Sequence, residues 1–271
     1  MNPSVFNESL YVAAEEDDVA MLNEAIDAGA DIEYKSHTNL KECGAKTIES
    51  KDNTALCIAC YRGCMPIVLR LLEFNADVNT KNSESHTPLH IASSQGRLDI
   101  VLLLLDRGAD LSAMDKYNKT PLHFASTAEV ALLLLDRGAD PNARTKSGDT
   151  PLAWASNRGN VEVARALLDR GADLHSRDED EWTPLHCAVW KGHLDTALFL
   201  LDCGANPHAK DNKGRTPRHC TVIGVSCENR EAIQHILDRW EVLMTIKLLG
   251  NLKVFHWVDL SMMDLYEYIG I

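Results

Sequence analysis

The chain has 271 residues with 27 Lys and Arg against 40 Asp and Glu, a formal net charge of −13. It is long enough to bury a substantial core, and its charge repels phosphate backbones, which argues against nucleic acid as a partner. The longest uncharged apolar run within its repeating part, residues 100–105, is far short of a membrane span.

The opening "MNPSVFNESLYVAAEEDD" has neither the basic start nor the apolar stretch of a secretion signal. Residues 8–31, "ESLYVAAEEDDVAMLNEAIDAGAD", form a divergent first copy of a unit that recurs below. From Asp31 to Thr54 there are 23 positions where Asp110 to Thr120 spans 10, so the first connecting loop carries 13 extra residues, within about residues 34–50. That polar insertion is either a flexible excursion or a binding loop. A degenerate copy, "NTALCIA", follows at Thr54. "HTPLHIA" starts at His86, "KTPLHFA" at Lys119, "DTPLAWA" at Asp149, "WTPLHCA" at Trp182 and "RTPRHCT" at Arg215, with threonines 33, 30, 33 and 33 residues apart.

Each unit predicts a helical hairpin. Thr87 caps a first helix, and Pro88 takes the first helical position, where its missing N–H costs nothing. Gly96 turns the chain, Asp99 favours the start of a second helix, and Gly108 ends it in the left-handed conformation. One hairpin cannot bury both its apolar faces, so neighbours stack and the divergent end copies act as caps. The 30-residue spacing, where "STAEV" stands for "SSQGRLDI", removes three residues at the turn between helices. It predicts a shortened helix end there and a local change of curvature. Beyond Trp240 the period is lost while apolar residues stay frequent, so residues 240–271 are expected to be a helical tail capping a repeat domain of residues 1–239.

A 33-residue period sharing T-P-L-H-x-A resembles the ankyrin repeat. The resemblance covers residues 8–239 and implies an all-α solenoid of about seven repeats with β-hairpin loops between the helix pairs. It also implies partner binding by a concave face of hairpin tips and first helices. The positions free to vary there are the residue before the motif Thr and the pair seven and eight residues after it. Candidate partner-binding residues are therefore Tyr61, Arg62, Ser94, Gln95, Asn157, Arg158, Trp182, Trp190, Lys191 and Arg215, with His86 and Lys119 at equivalent sites. Trp154, four residues after Thr150, falls at a core position. Trp182 and Trp190 are expected to be largely exposed, where truncating such an aromatic anchor costs about 2 kcal/mol or more. Beside them "DEDE", residues 178–181, suits a partner whose apolar anchor is flanked by basic residues. The resemblance further implies that His90, His123, His186 and His219 are structural, and that Asn79 and Asn142 match a position hydroxylated in some ankyrin domains.

"CIACYRGC" sets Cys57, Cys60 and Cys64 at C-x2-C-x3-C with Cys43 upstream, a spacing to test for zinc. All three also occupy repeat positions that small buried cysteines fill equally well. The sequence holds no Gly-rich phosphate loop, HExxH or GxSxG. The expectation is a non-enzymatic, monomeric scaffold or adaptor that binds another protein, with no cofactor, metal, small-molecule substrate or membrane. With eight scattered cysteines, a reducing compartment is expected, cytoplasmic with the nucleus as a second location. The alternative is a substrate receptor of a ubiquitin ligase. "LSMMDLYEYI" near the C-terminus resembles the close of a SOCS box, although the leucine-cysteine opening helix and the proline of that motif are missing.

Overall fold

A computed structural model describes residues 3–36 and 52–220, together with Ile233 and Leu237. The described chain forms six helical hairpins: α1 (Pro3–Glu16) with α2 (Val19–Asp27), α3 (Ala55–Arg62) with α4 (Met65–Glu73), and α5 (Pro88–Ser94) with α6 (Leu98–Asp106). They continue as α7 (Pro121–Phe124) with α8 (Ala128–Asp136), α9 (Pro151–Arg158) with α10 (Val161–Asp169), and α11 (Pro184–Lys191) with α12 (Leu194–Asp202). A 3-10 turn at Pro217–Cys220 begins the next unit. The helices stack in two layers, each first helix on the first helix of the next unit and each second helix on the next second helix. Between the layers lies one continuous core that includes Ile58, Leu71, Ile91, Leu104, Leu134 and Leu152.

The motif threonines start the first helices. Thr54, Thr87, Thr120, Thr150 and Thr183 are all N-caps in extended conformation, and Pro follows directly in the last four. At α5, α7 and α11 the histidine at the third helical position closes a capping box. The N–H of Thr87 donates to Nδ1 of His90 at 3.1 Å, which leaves the proton on Nε2, 3.0 Å from the carbonyl of Lys119 in the next unit. His123 and His186 repeat the pattern toward the carbonyls of Asp149 and Arg215. Each histidine thus fixes a helix start and straps it to the following loop. Burial pushes the pKa of His90 and of His123 down to about 4, so both are neutral at physiological pH.

The connecting loops form turns, not strands, among the described residues, so the implied β-hairpins are reduced to their tips. In five successive tips one bond closes the turn: Asn82 N–H to His86 O, Asp115 to Lys119, Thr145 to Asp149, Asp178 to Trp182 and Asp211 to Arg215. Neighbouring tips are joined in turn by Lys116 N–H to Glu84 O, Lys146 to Tyr117, Glu179 to Ser147 and Asn212 to Asp180. The loops are therefore one hydrogen-bonded edge of the stack.

The shortened unit loses the end of its first helix, as its spacing predicts: α7 has 4 residues where α9 and α11 have 8, while α8 keeps 9. The missing turn frees carbonyls that the next unit takes over. Arg158 Nη1 donates to Phe124 O at 3.2 Å and Asn160 Nδ2 donates to Ser126 O at 2.7 Å. The 13-residue insertion is pinched at its base by an antiparallel bridge in which Ser36 N–H donates to Asn53 O. Most of the inserted residues and the tail at residues 240–271 lie outside the described residues, whereas Ile233 and Leu237 are helical and reach the core. No helix of the described residues is long and apolar enough to cross a membrane.

Candidate partner-binding face

The two layers differ in charge. From α3 to α11 the first helices contain no Asp or Glu, and α3, α9 and α11 end on Arg62, Arg158 and Lys191, where a cation complements the helix dipole. The second helices from α4 to α12 each end on an acid: Glu73, Asp106, Asp136, Asp169 and Asp202. In that outer layer four arginines find carboxylates, while Arg107 at the end of α6 has none among the described residues. Arg137 pairs with Asp106 at 2.9 Å and Arg170 with Asp136, each across one repeat, and Arg70 pairs with Glu73.

On the first-helix side, cations lie instead against aromatic rings. Lys119 Nζ sits 4.0 Å from the ring centroid of Trp154, and the Arg158 guanidinium sits 5.6 Å from the same centroid. Both also lie within about 6 Å of the Phe124 ring. One unit further on, Lys191 Nζ stands 4.1 Å from the Trp190 centroid, and Trp190 meets Trp182 edge to face at 5.6 Å. Trp182 stacks on His186 and donates its indole N–H to Asp211 at 3.2 Å. Arg215 closes the row, paired with Asp211 at 2.7 Å. These side chains come from α7, α9, α11 and the tips before them, and they make a continuous aromatic and cationic tract.

The family model for ankyrin repeats, described as three copies, matches residues 10–115 and again residues 122–211. The chain belongs to the ankyrin-repeat family. No curated protein matches it in sequence. The break between the two matched stretches falls at the start of the shortened ankyrin unit.

Placed on the ankyrin stack, several sequence expectations need correction. Trp182 and Trp190 are partly buried, because each covers the other and Trp182 is tied to Asp211 of the following repeat. Tyr61 is buried at 6 % exposure, because it is drawn into the core where α1 packs on α3. It cannot contact a partner. His86 is also buried, held between the Phe124 ring and Asp115 Oδ2 at 3.4 Å. Trp154 is only partly buried, since an indole exceeds the slot that Ile58, Ile91 and Cys187 fill in other repeats. Its indole N–H is nevertheless buried and finds no acceptor among the described residues. Arg62 and Lys191 are exposed, and Ser94, Gln95, Asn157, Arg158 and Arg215 are partly buried at the same edge.

The run at residues 178–181 is not simply an acidic tip. Asp178 Oδ1 accepts the N–H groups of Asp180 and Trp182, and Glu181 pairs with Arg177. The residue five before each motif Thr plays this part throughout: Asn82, Asp115 and Asp211 each accept two loop N–H groups, and Thr145 accepts one. That recurrence is present in the sequence at fixed spacing and marks a turn-forming role rather than a ligand site.

Asn79 and Asn142 are inter-repeat clasps. Asn79 donates Nδ2–H to Gly108 O and accepts from Asp110 N–H at 2.7 Å, and Asn142 does the same with Gly171 and Asp173. Cys57, Cys60 and Cys64 are buried in the second ankyrin unit, and burial raises all three thiol pKa values. Among the described residues no group of three His, Cys, Asp or Glu is placed to hold a metal ion, and Cys43 lies outside them.

Proposed function

We propose that this ankyrin-repeat protein is a non-catalytic interaction scaffold or adaptor whose partner protein lies across the first-helix face between Lys119 and Arg215. Ankyrin repeats are generally protein–protein interaction modules, and the observation that carries the reading is the aromatic and cationic tract itself. Trp and Arg are the residue types most enriched at the energetic centres of interfaces. The tract stands on a stack whose loops are hydrogen-bonded to one another, so a partner meets a largely preformed surface.

Affinity capture with mass spectrometry tests this reading, comparing the wild type with a Trp190→Ala, Lys191→Ala variant of matched thermal midpoint. Loss of a defined set of proteins is the expected result. Retention of the same set would move the binding site to the insertion or the tail. The ubiquitin-ligase reading rests on residues outside those described, and Elongin binding by the chain's C-terminal tail is the observation that would favour it. Hydroxylation of Asn79 or Asn142 would act on the inter-repeat clasps, hence on stability, and would add about 16 Da to the corresponding tryptic peptide, one oxygen in place of a C–H bond.

A further inference from the structure

Among the described residues, Lys119, Arg158 and Lys191 take part in no ion pair, whereas Arg70, Arg137, Arg165 and Arg170 of the outer layer each do. Lys119 and Arg158 are moreover brought together. Both stand within about 6 Å of the same two ring centroids, Trp154 and Phe124, and Arg158 lies close enough to raise the cost of charging Lys119. Burial depresses the pKa of both, although Asp115 and Asp149 pull Lys119 the other way.

The nearby carboxylates are already engaged. Asp115 accepts the N–H groups of Tyr117 and Lys119 and faces His86, Asp149 Oδ2 accepts from Thr145 Oγ1, and Asp211 holds Arg215 and Trp182. Two partly desolvated cations are held against one aromatic floor with no carboxylate at ion-pair distance, Asp115 and Asp149 acting on Lys119 only from further away, on a chain whose net charge is −13. The first helices from α3 to α11 contain no carboxylate, and among the residues directly before the motif threonines Asp149 alone is acidic.

Building on the proposed partner face, we infer that the occupant is an acidic segment of the partner, with one carboxylate seated between Lys119 and Arg158 over Trp154 and Phe124, and further acidic or aromatic side chains meeting Trp190 and Lys191. The carboxylate supplies the anion that both cations lack, in charge-assisted hydrogen bonds. An aromatic neighbour on the ligand extends the Trp182 and Trp190 edge-to-face pair. A basic segment is excluded from the tract, because it would add a third positive charge to the Lys119 and Arg158 pair. In the acidic run that precedes Trp182, Asp178 accepts the Trp182 N–H, Asp180 accepts from Asn212 and Glu181 pairs with Arg177.

The test uses the full chain and three fluorescein-labelled octapeptides: glutamates with one central phenylalanine, the same peptide with lysine for glutamate, and the same with glutamine. Fluorescence anisotropy should show saturable binding of the glutamate peptide alone. That binding should weaken about tenfold or more between roughly 50 and 300 mM NaCl. Lys119→Met, which keeps the aliphatic stem over Trp154, should weaken it about fivefold or more. Lys191→Met should weaken it less, and Arg137→Met in the outer layer should leave it unchanged. A circular-dichroism melt of each variant excludes loss of fold as the cause.

Binding of the lysine or glutamine peptide in preference to the glutamate peptide, or glutamate binding indifferent to Lys119→Met, would overturn the inference. Absence of binding by all three peptides would overturn it as well. If capture in cells still depends on Trp190 and Lys191 in that event, the face survives and only the acidic character of its occupant falls.

Discussion

The repeats begun by Thr87 and by Thr150 start the same way and end differently. At Thr87 the histidine three residues on accepts the cap N–H and reaches the Lys119 carbonyl of the next loop. At Thr150 that position is Ala153. The threonine still caps its helix, accepting Ala153 N–H, but its hydroxyl then meets Ser176, and the Trp182 carbonyl receives only the bond from Asp178 N–H. Helix initiation therefore needs only Thr and Pro, whereas the strap between repeats needs the imidazole. The repeat that carries Trp154 and Arg158 lacks the strap, as does the one begun by Thr54, where Cys57 holds the position, and it is joined to its neighbour instead by the packing of α9 on α11 and by His193 Nε2 against the Asn157 carbonyl at 3.0 Å.

The difference between the two repeats can be read in stability. The largest effect is expected from His90→Ala, which leaves the buried Thr87 N–H and one lone pair of Lys119 O unmatched and opens a cavity beside Phe124. We expect about 3 kcal/mol of destabilisation by denaturant melting, against no comparable loss from conservative changes at Ala153.

Acid should act on the same clasp. With folded values of about 4, His90 and His123 bind fewer protons than in the unfolded chain, whose histidines titrate near 6.5. Their contribution is complete above that value and is lost as pH falls toward 4. The loss is roughly 2 kcal/mol for each by pH 5. Thermal midpoints measured at pH 7 and pH 5 should fall further apart in the wild type than in His90→Ala, and equal falls would show that protonation of His90 is not linked to folding.

Next in size is Asn79→Ala, which removes both bonds to the following turn and should cost about 1 kcal/mol. Its counterpart Asn142→Ala should cost a similar amount if the clasp is generic. The smallest change runs the other way: Ala153→His offers the Trp182 carbonyl its second donor and should raise stability by about 0.5–1 kcal/mol while stiffening the tract. A decrease instead would show that Trp154 and Trp182 already fill the place of the ring.

The threonine register carried most of the fold in the sequence itself. Its 33-residue spacing located every first helix from α3 to α11, and its one 30-residue interval located the shortened α7. Burial at individual positions was less legible, because the repeat defines a slot but not what neighbours bring to it. Tyr61 occupies a position that is partly open in α5, α9 and α11, yet α1 packs against its helix and the ring is taken into the core. Trp154 occupies a core slot that cannot hold an indole, so it emerges beside Lys119, a residue whose importance depends on that emergence. The sorting of charge between the two helix layers was in plain view in the sequence, and it became meaningful once the layers were assigned to opposite sides of one core.

A partner protein on the first-helix face between Lys119 and Arg215 would leave a footprint in backbone exchange. Hydrogen-exchange mass spectrometry of the full chain, alone and saturated with a captured partner, tests it most directly. Exchange should slow at the ends of α7, α9 and α11 and in the loop tips before them, with α8, α10 and α12 unchanged. Slowed exchange confined to the outer helices, or to the insertion and the tail, would contradict it.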